Sequence, residues 1–176
     1  MNIYVASSWR NEQQQDVVAA LRELGHDVYD FKHPAPGDSG FSWSSIDPNW
    51  KSWTPDEYRK ALQHPIAKRG YNFDITALQE CDACVLLLPS GRSASWEFGY
   101  AISAGKRGVV AQFGPFEPEL MYREAEIVGS MNELKRAFEV TPRDELEAFR
   151  RRYMEGDVDI DDLWDAYEKL AKEKLK

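Results

Sequence analysis

Apolar and polar positions recur along the first third of the chain with two different periods. Residues 2–6 are a short apolar run that predicts a strand; the polar turn Ser7-Ser8-Trp9-Arg10-Asn11 follows, and Val17, Val18, Leu21 and Leu24 then fall at helical spacing up to Gly25. Residues 26–31 alternate as a second strand, so the order is strand, loop, helix, strand, which marks parallel strands joined by a crossover helix. A helical pattern over residues 64–81 leads into Ala83–Leu88, an unbroken apolar run that predicts a central strand covered on both faces. Residues 95–104 then read as a helix stopped by Gly105, 108–113 as a strand, 126–129 as a short edge strand and 131–138 as a short helix.

This order predicts an open α/β architecture over residues 1–138: a mostly parallel five-stranded sheet with helices on both faces, of the flavodoxin or Rossmann-like kind. Ligands of such sheets bind beyond the carboxyl ends of the strands, where the loops 7–11 and 89–95 emerge. Residues 139–176 carry two further helical patterns, Leu146, Phe149, Tyr153 and Leu163, Trp164, Tyr167, Leu170, Ala171, joined at Gly156, and predict a C-terminal helical hairpin. Residues 34–56 are turn-rich and hold Trp43, Trp50 and Trp53. Two readings of that loop stay open: a lid or partner surface, or an aromatic plug at one end of the sheet.

The chain has 176 residues, with 22 Lys and Arg against 30 Asp and Glu, and a net charge of −8. An acidic balance of this kind argues against a surface built to neutralise duplex phosphates, so duplex nucleic acid is not an expected partner. The longest apolar run falls far short of the about 20 residues of a bilayer span, and the first residues lack a basic segment before an apolar one. No membrane association and a cytoplasmic location are expected.

Cys81 and Cys84 form a C-x-x-C, but Cys84 opens an apolar strand instead of a helix, and His26, His33 and His64 are scattered. Two small residues packed near a buried strand explain the pair. Asp157, Asp159, Asp161, Asp165 and Glu168 match the spacing of a calcium loop, yet Asp162 stands where such a loop needs Gly. Carboxylates that complement a helix N-terminus explain them. No metal and no cofactor is expected.

The candidate chemistry lies after the central strand. Pro89-Ser90-Gly91-Arg92-Ser93-Ala94-Ser95 leads into Trp96-Glu97-Phe98-Gly99-Tyr100, where Glu97 is expected in the first turn of a helix whose positive end favours its charged form. A carboxylate at the ligand end of a parallel sheet is a candidate nucleophile or base; a helix cap is the alternative.

Three segments, in this order, resemble the nucleoside 2-deoxyribosyltransferase family, which includes related nucleotide N-glycohydrolases. They are Ile3-Tyr4 with Ser7-Ser8-Trp9, Tyr71-Asn72-Phe73-Asp74, and Glu97-Phe98-Gly99-Tyr100-Ala101 with Gly105-Lys106. The resemblance covers residues 3 to about 138 and implies a family-like α/β domain over 1–138 with a helical extension over 139–176. It also implies a catalytic set of Glu97, Asp74 and Tyr4: Glu97 attacks C1′, Tyr4 positions it, and Asp74 orients it or assists the departing base as an acid. Family transferases carry a base-holding carboxylate where this chain has Gly91, beside Arg92 and Ser93, while the hydrolases use Ser and Arg to hold a 5′-phosphate. The substrate-binding set expected on that footing is Ser7, Ser8, Trp9, Arg10, Gly91, Arg92 and Ser93, with Trp43 of the long loop stacking on the base or excluding water.

The resemblance implies cleavage or transfer of the N-glycosidic bond of a (deoxy)nucleoside or nucleoside 5′-monophosphate, with that small molecule as partner. Self-association, most simply a dimer, is expected with it, since relatives complete their sites across a subunit interface. A competing reading is a non-catalytic signalling module that binds a nucleotide, ADP-ribose or NAD derivative at the same sheet end.

Overall fold

Five strands, β1 (Asn2–Ala6), β2 (Asp27–Tyr29), β3 (Ala83–Leu87), β4 (Arg107–Ala111) and β5 (Glu126–Val128), form one sheet in the order β2-β1-β3-β4-β5. All four pairings are parallel. The computed structural model describes residues 1–139, 150–157 and 159–173. The chain forms two units, Met1–Ala137 and Phe138–Lys176.

The first unit is the expected α/β sheet. β1 and β3 at its centre are buried almost throughout, which is why their sequences are continuously apolar instead of alternating. Each fully buried side chain such as Ile3, Leu86 or Leu87 contributes roughly 1.5–3 kcal/mol relative to exposure. Helix α1 (Gln14–Glu23) buries Val17, Val18 and Leu21. Helix α2 (Pro55–Ala61) was not legible in the hydrophobic pattern, because Ala61 alone is buried. A capping box starts it: Thr54 Oγ1 accepts from Glu57 N, and Glu57 accepts from Thr54 N at 2.7 Å.

Helices α3 (Pro65–Glu80) and α4 (Arg92–Ser103) pack on each other and on one face of the sheet. Their buried residues Leu78, Ala94, Phe98 and Ala101 share one cluster with Tyr4, Cys84 and Val110 from the strands. Right-handed crossovers and the reversal of strand order at β1 and β3 put α1 on the opposite face. Helix α5 (Met131–Phe138) follows β5 over the residues predicted.

Strand register explains how α4 seats. Tyr29, Tyr4, Cys84 and Gly108 are in-register neighbours on successive strands, so the row descends from two large rings to no side chain. A Cβ on Gly108 would strike Ile102 of α4 and come within 3.1 Å of the Phe98 ring. Gly108→Val is therefore expected to lower stability by about 1–3 kcal/mol through overpacking, read from urea unfolding. An unchanged midpoint would show that α4 does not depend on that gap.

In the second unit, residues 150–155 are helical and end at Gly156, whose φ is +82°. Helix α6 (Ile160–Glu173) follows. Asp159 and Asp162 cap its start reciprocally, Asp162 N donating to Asp159 Oδ1 at 2.9 Å and Asp159 N to Asp162 Oδ2 at 3.3 Å. Of the carboxylates spaced like a calcium loop, Asp159 thus serves the helix end, together with the Asp162 that stands at the Gly position. Leu146 and Phe149 of the expected hairpin lie outside the described residues, as do the side chains of Leu163, Leu170 and Ala171. Trp164 and Tyr167 stack at 5.9 Å and are exposed.

Candidate active site

The site is built from one residue on each of two strands and two helices. Tyr4 is at the middle of β1, and its in-register neighbour Tyr29 ends β2; their rings stack at 5.1 Å with planes 21° apart. Asp74 lies in α3 four residues before buried Leu78 and seven after buried Ala67, so it falls on the apolar stripe of that helix. Glu97 falls in the same way between Ala94 and Ala101 on the stripe of α4. Since those stripes face the sheet, helical periodicity itself carries both carboxyls inward.

The two acids interact, and burial governs both. Loss of water, and then the charge of Asp74, push the Glu97 carboxyl up to about 7, against the Tyr4 hydroxyl, which favours the anion. Burial also raises the Asp74 carboxyl, while the Tyr29 hydroxyl, donating to Asp74 Oδ1 at 2.7 Å, draws it back down. Burial, Glu97 and Asp74 hold the Tyr4 hydroxyl proton well above its ordinary range. Although it acts on Glu97, Tyr4 Oη makes no hydrogen bond of ordinary geometry and is a buried group without such a partner.

Two expectations for Glu97 are corrected. The helix starts at Arg92, after Gly91 as N-cap, and not at Ser95, so Glu97 lies in the second turn. The helix dipole fades beyond the first turn. Desolvation consequently outweighs it, and the carboxyl is shifted toward its protonated form where a stabilised charge was expected.

The loops at the carboxyl ends of β1 and β3 are tied together. Ser7 Oγ donates to Leu87 O at 3.0 Å, and buried Asn11 donates from Nδ2 to Pro89 O at 3.3 Å. The Ser7 hydroxyl proton is thus committed to the fold, and Ser8 Oγ accepts from Arg10 N within its turn. Arg10, Arg92 and Ser93 are exposed. Trp9 meets Phe31 edge-on at 5.4 Å and covers Gly40, where a Cβ would lie 2.8 Å from its ring.

Trp43 packs edge-on against Phe41, Trp53 and Tyr58, while Phe41 covers Gly70 one turn before Asp74. Trp43 thus belongs to an aromatic cluster that Phe41 seats on α3. Two clefts, of about 740 and about 780 Å³, flank β2 and α3; Tyr29 lines both, and Tyr4, Asp74 and Glu97 line neither.

Tyr29 is the member of the site that the sequence reading missed. The available signal was register: a strand-two tyrosine placed to pair with Tyr4 across parallel strands. Cys84, beside Tyr4 on β3, is buried with its thiol pushed well up by desolvation, which suits packing and not redox chemistry. Among the described residues no group of three or more His, Cys, Asp and Glu is arranged to hold a metal ion.

No protein-family model and no curated protein matches the chain. Among solved structures it is similar to a 2-deoxyribosyltransferase from the psychrotolerant bacterium Bacillus psychrosaccharolyticus, at 18% identity and a TM-score of 0.47, over 76% of this chain and 89% of that one. It is also similar to the CMP N-glycosidase of Clostridium botulinum, at 16% identity and a TM-score of 0.43, over 78% of this chain and 98% of that one.

Proposed function

We propose that the chain cleaves or transfers the N-glycosidic bond of a (deoxy)nucleoside or nucleoside 5′-monophosphate, with Glu97 as the nucleophile. The observation that carries this reading is the meeting of two inward-facing carboxyls, Glu97 and Asp74, beside the buried Tyr4 hydroxyl. Acids on the apolar stripes of two packed helices weaken a fold, and such perturbed clusters mark functional sites. The three family-like motifs contribute the same three residues.

In the reaction, a Glu97 oxygen bonds to C1′ as the C1′–N bond breaks, and the electron pair leaves on the base. The ester so formed is resolved by water, giving hydrolysis, or by a second base, giving transfer; either returns the carboxylate. Asp74 serves better as a charged partner that stabilises positive character at C1′ than as an acid. Burial raises both carboxyls, Glu97 to about 7, while the Tyr29 hydrogen bond favours the Asp74 anion.

Incubation with a panel of nucleosides, 5′-nucleotides and NAD, with and without free base, tests the reading by chromatography of released bases. Release or exchange from a nucleoside or 5′-nucleotide is expected; binding without turnover across the panel would overturn it in favour of the binding module. The pH profile is a second check. Because the attacking group must be ionised and its carboxyl sits at about 7, kcat/KM is expected to fall about tenfold per pH unit below that value and to level off above it. A profile flat from pH 5 to 8 would remove Glu97 from that role.

A further inference from the structure

We propose that Tyr29 is a positioning residue of this site, its hydroxyl holding Asp74 and its ring holding Tyr4, so that one side chain fixes both partners of Glu97. The inference rests on the reading of Glu97 as the reacting group. Tyr29 ends an edge strand, β2, and its hydroxyl donates to the half-buried Asp74 carboxylate at 2.7 Å. Its ring lies nearly parallel to Tyr4 at 5.1 Å, set by the pairing of the two residues in adjacent strands. The stack fixes the Tyr4 ring laterally, and the hydrogen bond fixes α3 to the edge of the sheet one turn before Leu78.

The consequence is electrostatic. The groups that act on the pair are Tyr4 from β1, Tyr29 from β2 and Cys84 from β3, with Asp30 acting on Tyr29, and none of these is basic. In such a setting the Tyr29 donor keeps the negative charge on Asp74, and that charge helps to keep the proton on Glu97. A ring that merely fills space would leave the titration of Asp74 unchanged when its oxygen is removed.

Side-chain carboxyl ¹³C titrations of the ligand-free protein test this directly. In Tyr29→Phe, Asp74 is expected to titrate higher, because the hydrogen bond that favours its anion is gone. Asp74→Asn should lower Glu97 by removing that charge, and adding Tyr29→Phe to it should produce no further shift. Unchanged Asp74 titration in Tyr29→Phe, or a further Glu97 shift when Tyr29→Phe is added to Asp74→Asn, would overturn the proposal. Should Tyr29→Phe fail to fold, the unmodified protein still decides: the Tyr29 ¹³Cζ resonance must follow the titration of Asp74, and independence of the two overturns the assignment. These titrations need no substrate, so they separate the role of Tyr29 from the question of whether any base is released. Where release is measured, the acid limb of its pH profile should move down with Glu97 in Asp74→Asn.

Discussion

Glu97→Gln is expected to lower turnover by about 10³-fold or more, about 4 kcal/mol of transition-state stabilisation, while substrate affinity changes by no more than a few-fold. The amide matches the carboxylate in shape, so the packing of α4 between Ala94 and Ala101 is retained. It cannot supply an anion to C1′, and the loss therefore falls on the step in which that bond forms. Asp74→Asn should cost less, because it removes a charge beside the reacting centre and leaves the nucleophile in place. The two variants also bear on which acid attacks. Base release by Glu97→Gln at the wild-type rate would sink its assignment and pass the role to Asp74. A binding module behaves in a third way, with no release from the unmodified protein and an effect on affinity alone. Rate and affinity measured on the same preparation separate these cases.

The sheet was legible because its central strands announce themselves. Ala83–Leu87 has no polar interruption, and the helical spacing of Val17, Val18 and Leu21 before an alternating segment leaves little choice but a crossover. Element ends were less legible where no capping side chain marks them. α4 begins three residues earlier than its apolar pattern, since Gly91 caps it without a side-chain bond, and this alone moved Glu97 from the first turn to the second. α2 escaped because its signal is a capping box and an N-terminal Pro instead of an apolar face.

At the site, Asp74 entered only through motif resemblance and Glu97 through its place after the central strand, although each stands at a core position of its helix. Tyr29 carried no such mark. A tyrosine in a strand is ordinary, and what makes this one part of the site is pairing across the sheet with Tyr4 and reach to a helix 45 residues away. Register and crossover geometry are long-range facts, fixed by the packing of both sheet faces together, and local periodicity does not contain them. The tie between the β1 and β3 loops, through Ser7 and Asn11, was hidden for the same reason.

Removing the Glu97 carboxyl is further expected to stabilise the fold, and only at higher pH. Its ordinary value is 4.5, and in the folded chain it stands at about 7. Between those values the folded state keeps a proton that the unfolded state has lost, so folding becomes weaker as pH rises through this window and the deficit is complete above it. At 1.36 kcal/mol per unit the shift sets an upper bound of roughly 3 kcal/mol, and relaxation around a partly exposed side chain coupled to Asp74 brings the expected figure to about 1–2 kcal/mol. Glu97→Gln has no proton to lose there. Urea unfolding should show the two proteins nearly equal at pH 4 and the variant more stable by about that amount at pH 8. A glutamate that caps its helix predicts the opposite sign: its folded-state value would be lowered, its contribution would grow as pH rises, and glutamine would weaken the protein at pH 8 by about 0.3–1 kcal/mol. The sign of one stability difference at pH 8 thus separates a strained reactive acid from a structural one, independently of any substrate.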